Sequence, residues 1–241
     1  MSKKSIWKTI LRPWIEVHDG RSRLDPWLWA NLKQALRQQQ LDKLMQRLVA
    51  IVPDISNQYT NPEGMNCMDP QSPDYVPFYA YKVRAQHAFQ VQFTLAVMQQ
   101  WFQQHPPSPK GLTLVDVGDS SGNHLRYLEH LLHEAHIHVG RSLSINLDPK
   151  AIEKITQSGR EALLCRAEHL SEHNIEADFM LTYEMLEHLL NPVEFLHQIA
   201  QHPPKGLLIA TVPFLRQSRL GMHHIRLNIT EYPADPEDVH I

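Results

Sequence analysis

The sequence has only two cysteines, Cys67 and Cys165, and no pair of cysteines at the spacing of a metal site. This argues against a disulfide framework and a zinc ribbon, and a reducing cytoplasm is the simplest location. Long apolar runs are also missing, and Lys8 and Arg12 interrupt the apolar start, so we predict neither a signal peptide nor a membrane span. A short amphipathic surface helix at this start is the alternative to packing on the protein's own body.

Strong charge of one sign is missing too, because the net charge is only −3. That balance gives no broad attraction to nucleic acid or to anionic lipid. What the sequence does have is 42% apolar and 20% charged residues, the composition of an ordinary globular protein.

The helical periodicity breaks at residues 105–111, HPPSPKG, just before the strand-like run LTLVDV. We therefore predict an N-terminal helical region or lid over 1–105 and an α/β domain over 106–241. Helices are predicted from Pro26 to the proline at position 53 and again over 78–102, with a loop over 57–73 between them.

The second of these helices carries aromatic and apolar side chains four residues apart, at Phe89, Phe93, Val97 and Trp101. That spacing places them along one helical face. We expect this stripe to pack on a core, and a cofactor-binding role is the minor alternative.

After Lys110 the pattern changes to short apolar runs that alternate with helical stretches. The runs span 112–117, 141–146, 161–165, 178–183 and 207–213, and the helical stretches span 124–135, 149–159 and 191–202. This alternation predicts an open, doubly wound, mostly parallel sheet of Rossmann-like type with an N-terminal helical extension. Ligands of such sheets bind beyond the carboxyl ends of the strands.

The first run ends in a turn of small residues, VDVGDSSG, in which Gly118 and Gly122 allow a ligand to approach the backbone closely. By itself this turn could hold a dinucleotide, a phosphate or a methyl donor, or could simply be tight.

LTLVDVGDSSG resembles the first motif of class I methyltransferases that use S-adenosylmethionine. The segment ADFMLTYEMLEHLLNPVEFLHQIA is similar to the fourth-strand region of the ubiquinone-biosynthesis type, and KGLLIATVPF resembles their fifth strand. The resemblance covers about residues 111–215 and implies S-adenosylmethionine as cofactor. It also implies a set of cofactor-binding residues: Asp116, Gly118, Ser120, Gly122, Asn146, Asp148, Glu168 and Tyr183.

The sequence departs from the family pattern at three of its motif positions. Ser120 replaces the middle glycine, Asn146 replaces the acid that holds the ribose, and Arg166 stands where an acid usually contacts adenine. An amide lacks the charge-assisted hydrogen bond of a carboxylate, so cofactor affinity is expected to be lower unless Asp148 or Glu168 compensates.

Residues just past the fourth strand face the transferred methyl in this family. His188 is our preferred general base because its reference pKa lies near neutrality, with Glu184 beside it and Tyr183 and Glu187 as further candidates. Glu187 and His188 could instead only brace the helix that follows.

The predicted function is a cytoplasmic methyltransferase of a small-molecule acceptor, with transfer to oxygen. The alternative is a catalytically inactive methyltransferase-fold protein that binds or regulates; a nicotinamide-dependent oxidoreductase fits the turn poorly. His223 and His224 could line the acceptor pocket. His130 and His133 lie at a helical spacing that permits a shared metal, yet nothing completes the set, so no metal is predicted.

The family usually ends in an antiparallel pair of strands, and little sequence follows the fifth run here. We expect this pair to be short or missing. A homodimer that covers the open sheet edge would explain a missing pair, and so would a truncated sequence.

Overall fold

The computed structural model describes residues 26–55, residue 58 and residues 77–213, and it places in them five α-helices, five β-strands and two short 3₁₀ helices. The α-helices are α1 Pro26–Ile51, α2 Pro77–Phe102, α3 Asn123–Glu134, α4 Pro149–Gln157 and α5 Pro192–Gln201. The strands are β1 Leu112–Val117, β2 Val139–Asn146, β3 Glu161–Leu164, β4 Phe179–Tyr183 and β5 Leu207–Thr211. The 3₁₀ helices are Ala167–His173 and Leu186–His188.

The chain forms two compact units that divide within α1, between Arg47 and Leu48. In the first unit the structure describes only the helical residues from Pro26 onward, of which Leu44 and Met45 are buried. All contacts given below lie within the second unit. The boundary between residues 105 and 106 stays a prediction.

The sheet of the second unit is entirely parallel, with the strand order β3-β2-β1-β4-β5. Val115 of β1 lies opposite Leu143 of β2 on one side and Met180 of β4 on the other. This is the order of a Rossmann-like sheet, and it confirms the predicted α/β fold. β2 begins two residues before the predicted run, and α4 and α5 each start with a proline after a capping Asp148 or Asn191.

Each face of the sheet buries a different layer, because alternate residues of a strand point to opposite sides. One face carries Val115, Val117 and Met180, which pack with Phe195 and Ile199 of α5 in one apolar cluster. Leu114 and Asp116 of β1 point to the other side, where α2 and α3 cover the sheet.

The aromatic stripe of α2 is not buried, contrary to the sequence prediction. Phe89 is 60% exposed and Phe93 is 42% exposed, and their rings stack on each other with centroids 6.4 Å apart, whereas Val97 and Trp101 are half-buried. The buried face of α2 instead carries apolar side chains together with polar ones: Ala88, Val91 and Met98 with His87, Gln90 and Thr94. The prediction failed because it assumed that only apolar residues face a core, whereas Gln90 and Thr94 have hydrogen-bond partners there.

Several predictions fall outside the described residues. These are the loop over 57–73 apart from residue 58, Cys67, the pair His223 and His224, and the C-terminal strands. Among the helices that the structure describes, none has the length and apolar character needed to cross a membrane.

Candidate functional site

The turn after β1 depends on its two glycines. Gly118 has φ +91°, and a Cβ placed there would lie 2.6 Å from Cγ of Met185. Gly122 has φ +74° and precedes the first residue of α3. A side chain at either position is strained in this left-handed backbone region, so the sequence signal of a tight turn is confirmed.

Asp119 fills the turn with its own carboxylate. Its Oδ1 accepts hydrogen bonds from the backbone N–H of Ser121 at 3.2 Å and of Gly122 at 2.8 Å, and its Oδ2 accepts one from Ser144 Oγ at 2.7 Å. These backbone N–H groups at the start of α3 are the kind that a phosphate would use. Because Asp119 already occupies them, the turn is not built as a phosphate cradle.

A cavity of about 220 Å³ opens beside this turn, at the carboxyl ends of the strands. Residues from four strand ends line it, among them Gly118 after β1, Ile145 and Asn146 at the end of β2, Glu168 after β3, and His188 and Leu189 after β4. The lining combines apolar walls with a few polar groups, as in small-molecule sites. It is the location that the topology of a Rossmann-like sheet predicts for a ligand.

Two larger cavities lie away from these strand ends. One of about 330 Å³ contacts Ala177 and Lys205, which precede β4 and β5. The other, of about 490 Å³, lies beside α3 and the start of β2 and is lined in part by His130 and His133. Size alone would select one of these, but ligands of such sheets bind at the opposite edge, so we take the smaller cavity as the candidate site.

Both ends of the Asn146 amide have hydrogen-bond partners, one in the turn after β1 and one just after β2. Its Nδ2 donates to the backbone carbonyl of Asp119 at 2.9 Å, and its Oδ1 accepts from the backbone N–H of Asp148 at 2.8 Å. An aspartate could not make the first of these bonds, because it has no donor when ionised. Asp148 lies outside the cavity lining and caps α4 by accepting a hydrogen bond from the Lys150 N–H at 2.8 Å.

Glu168 and Arg166 line the cavity on the β3 side. Oε2 of Glu168 is buried and lies 3.6 Å from Nε of Arg166. Glu168, the acid expected from the sequence to compensate, is therefore at the cavity wall. It lies next to Arg166, which stands where the resembled family has an acid.

The segment after β4 carries a strained residue and a perturbed carboxyl group. Glu184 has φ +51°, which is unusual for a residue with a side chain, and its N–H donates to the Thr211 carbonyl at 2.9 Å. Both carboxyl oxygens of half-buried Glu187 lack hydrogen-bond partners. Burial, helped by the nearby charge of Glu184, raises the pKa of Glu187 to about 7. His188 lines the cavity, whereas Glu184 and Glu187 do not.

Asp116 does not line the cavity, although the resemblance implied a cofactor role for it. It is 1% exposed and points toward α3, where its Oδ2 lies 3.8 Å from Nδ1 of His124. His124 Nε2 contacts Gln90 Oε1 at 3.0 Å, and Gln90 Nε2 donates to Thr211 Oγ1 at 3.1 Å. The result is a buried polar chain behind the turn, running from β1 through α3 and α2 to β5.

Burial sets the protonation states of these buried polar side chains. The pKa of Asp116 is raised well above its usual value by burial and by the charge of Asp119, which favours the neutral acid. Burial lowers the pKa of His124 to about 4, against an opposing effect of Asp119. His87, whose ring centroid lies 4.5 Å from that of His124, has a pKa lowered well below its usual value by burial and by the neighbouring His124.

Tyr183 belongs to this buried region and not to the cavity lining. Its side chain is 7% exposed, its hydroxyl forms a short hydrogen bond with Thr94, and its ring centroid lies 4.7 Å from that of His124. Burial raises the pKa of its phenol. A polar residue that ends a buried strand can thus point to either face, which sequence position alone does not decide.

The same region holds the one set of potential metal ligands found among the described residues, Asp116, Asp119 and His124, with one ligand atom of each within 4.8 Å of the others. The two carboxylate oxygens of Asp119 together already accept hydrogen bonds from three donors. We therefore assign no metal to this set.

Sequence reasoning missed His87 and His124 as members of one buried group. For the α2 side of the group a signal was present, because residues 87, 90 and 94 recur at the spacing of one helical face. It also missed Asp119 as the carboxylate that completes the turn.

The strand order gives this chain a Rossmann-like fold. No family model matches the chain, and no curated protein matches it in sequence. Solved structures are similar to it at low identity. The citrinin polyketide synthase CMeT domain is 12% identical, with a TM-score of 0.46 over 86% of this chain and 59% of that one.

Two further solved structures have comparable values. DesVI of Streptomyces venezuelae is 14% identical, with a TM-score of 0.42 over 60% of this chain and 58% of that one. The plantazolicin methyltransferase BamL, in complex with a triazolic desmethylPZN analog and SAH, is 11% identical, with a TM-score of 0.44 over 68% of this chain and 55% of that one. In all three comparisons this chain spans less than two thirds of the other protein.

Proposed function

We propose that this chain is an S-adenosylmethionine-dependent methyltransferase that acts on a small molecule and transfers the methyl group to oxygen. The observation that carries the proposal is the cavity at the carboxyl edge of the sheet. It is lined from four different strand ends, by Gly118, Asn146, Glu168 and His188. A cytoplasmic location and a homodimer belong to the same proposal.

The cavity residues fit the parts of such a cofactor. Ile145 and Leu189 offer apolar surface to a purine ring, and the Glu168 carboxylate can accept a hydrogen bond from its exocyclic amine. Oδ1 of Asn146 accepts from the Asp148 N–H and, having a second lone pair, can also accept from a ribose hydroxyl. Gly118, which has no side chain, leaves room for Met185 at the cavity wall. When bound, the cofactor would supply a methyl group activated by a sulfonium.

The chain itself must align the acceptor and remove its proton. His188 and Glu184 are the residues expected from the sequence in this role. Glu187 is the third candidate, because a carboxyl group whose pKa is about 7 is tuned for proton transfer at neutral pH. The pH profile of methyl transfer separates Glu187 from His188. Substitution of the true base, by Glu187→Gln or His188→Gln, should abolish the limb of the profile that reports its titration. Substitution of the residue that is not the base should leave that limb in place.

The alternative is a binding or regulatory protein on this scaffold without activity. It is favoured by Asn146, whose amide is engaged by the turn and which stands where the resembled family has a carboxylate. This alternative predicts binding without turnover.

Methyl transfer from tritiated S-adenosylmethionine to pools of hydroxylated small molecules tests the proposal. We expect label in an acceptor that depends on Glu168, with Glu172→Ala as the matched control because Glu172 is exposed and lies outside the cavity lining. Label that appears equally with Glu168→Ala, or cofactor binding with no transfer to any pool, would contradict the proposed activity.

A further inference from the structure

Gln58 makes three side-chain hydrogen bonds to the turn after β1. Its Nε2 donates to Ser120 Oγ at 2.9 Å, and its Oε1 accepts from Ser121 Oγ at 3.0 Å and from Asn123 Nδ2 at 3.0 Å. These partners lie 62 to 65 residues further along the chain. The contact is therefore tertiary and ties the segment after α1 to the turn.

The contact is also buried and specific. Gln58 is 6% exposed, Ser121 is 3% exposed and Asn123 is fully buried. A buried amide of this kind needs partners at both ends, and here both the donor and the acceptor have them. Ser120 is the position at which the sequence departs from a glycine-rich turn, and the added hydroxyl is the group that Gln58 contacts through its Nε2.

The turn lies where a ligand must extend beyond the cavity. The cavity of about 220 Å³ is smaller than the roughly 300 to 1,000 Å³ typical of sites that hold a whole small molecule. Gly118 is both a cavity residue and the start of the turn. A cofactor-sized ligand that fills the cavity therefore continues past Gly118 toward the half-exposed Ser120.

We propose that Gln58 is a positioning residue of this site: through Ser120, Ser121 and Asn123 it fixes the turn, which receives the polar end of the bound cofactor at the half-exposed Ser120. The inference rests on the proposed cofactor, but its structural half concerns the free protein. Gln58 acts through the turn, so its loss should affect ligands that reach the turn and spare ligands that fill only the cavity.

The first experiment measures amide hydrogen exchange of residues 118–123 in the ligand-free full chain. Gln58→Ala should speed their exchange at least about fivefold, because the turn loses three hydrogen bonds. Gln58→Glu should restore protection to within about twofold, since a carboxylate can accept from all three partners. Gln157→Ala is the matched control, because Gln157 is exposed and its side chain donates to Glu153 within α4. Unchanged exchange in Gln58→Ala would overturn the proposal.

The second experiment compares two ligands by calorimetry. S-adenosylhomocysteine has an amino-acid end, whereas 5′-methylthioadenosine lacks it. Gln58→Ala should weaken binding of the first about tenfold and of the second less than about twofold. Ser120→Ala removes only one of the three hydrogen bonds, so it should weaken binding of S-adenosylhomocysteine selectively but by a smaller factor. This variant replaces Gln58→Ala in the test if Gln58→Ala fails to fold.

The outcomes separate the two proposals. Equal weakening of both ligands, or no weakening of either, contradicts the role of Gln58. Failure of the unaltered protein to bind S-adenosylhomocysteine contradicts the proposed function instead, and the exchange experiment then still decides whether Gln58 holds the turn.

Discussion

Replacing Asp119 by alanine tests how the turn after β1 is held. The carboxylate accepts three hydrogen bonds from buried donors, two backbone N–H groups and the Ser144 hydroxyl, and it is 2% exposed. A hydrogen bond to a charged group contributes about 1.5 to 3 kcal/mol, and entry of water after truncation offsets part of the loss. We therefore expect Asp119→Ala to lower the free energy of unfolding by about 3 to 5 kcal/mol. Asp119→Asn, which keeps an acceptor for the N–H groups, should cost about 1 to 2 kcal/mol.

Urea unfolding of both variants gives these differences, and Asp178→Ala is the matched control. Asp178 accepts one side-chain hydrogen bond, from the Thr113 N–H at 2.7 Å, so the same substitution there should cost only about 1 to 2 kcal/mol. A loss in Asp119→Ala that equals the loss in Asp178→Ala would refute the reasoning that three donors depend on this carboxylate.

Three further predictions concern titration and access. Because the pKa of Glu187 is raised to about 7, the free energy of unfolding should fall as pH rises from about 4.5 through 7. The expected loss is about 1 to 2 kcal/mol after solvent screening. Urea unfolding at pH 5 and pH 8 measures it, and Glu187→Gln should remove it. His87 has a lowered pKa, so stability should fall as pH drops below about 6.5, by up to about 1.4 kcal/mol per pH unit; His87→Phe should lessen that slope, and an unchanged slope would contradict the burial argument. Cys165 is buried at the cavity wall and the pKa of its thiol is raised, so its alkylation should be slow. Saturating S-adenosylhomocysteine should slow alkylation at least about fivefold further, as measured by mass spectrometry. Equal rates with and without the ligand would place the ligand elsewhere.

The sheet could be predicted from the sequence because its signals are local. Each apolar run such as LTLVDV is bounded by turn or helix-start residues, and the runs alternate with helical stretches. The strand order of a parallel sheet follows from few rules once that alternation is known. The location of the cavity followed in turn, and Gly118, Asn146, Glu168 and His188 do line it.

What could not be predicted depends on contacts between distant parts of the chain. The burial of α2 reversed the expectation for Phe89 and Phe93, because polar partners on β4, β5 and α3 select its other face. Gln58 reaches the turn across more than 60 residues, and no local pattern marks it. Asp116 and Tyr183 lie on strands as expected, yet their side chains point to the face that α2 and α3 cover.

The proposed function depends most directly on whether the cavity binds the cofactor product. Calorimetric titration of the full chain with S-adenosylhomocysteine measures this, with Gly118→Val as the comparison because any Cβ at that position meets Met185 at 2.6 Å in a left-handed backbone. We predict saturable binding with one site per chain in the unaltered protein, and binding at least about tenfold weaker in the variant. No heat of binding at millimolar ligand in the unaltered protein would contradict the account.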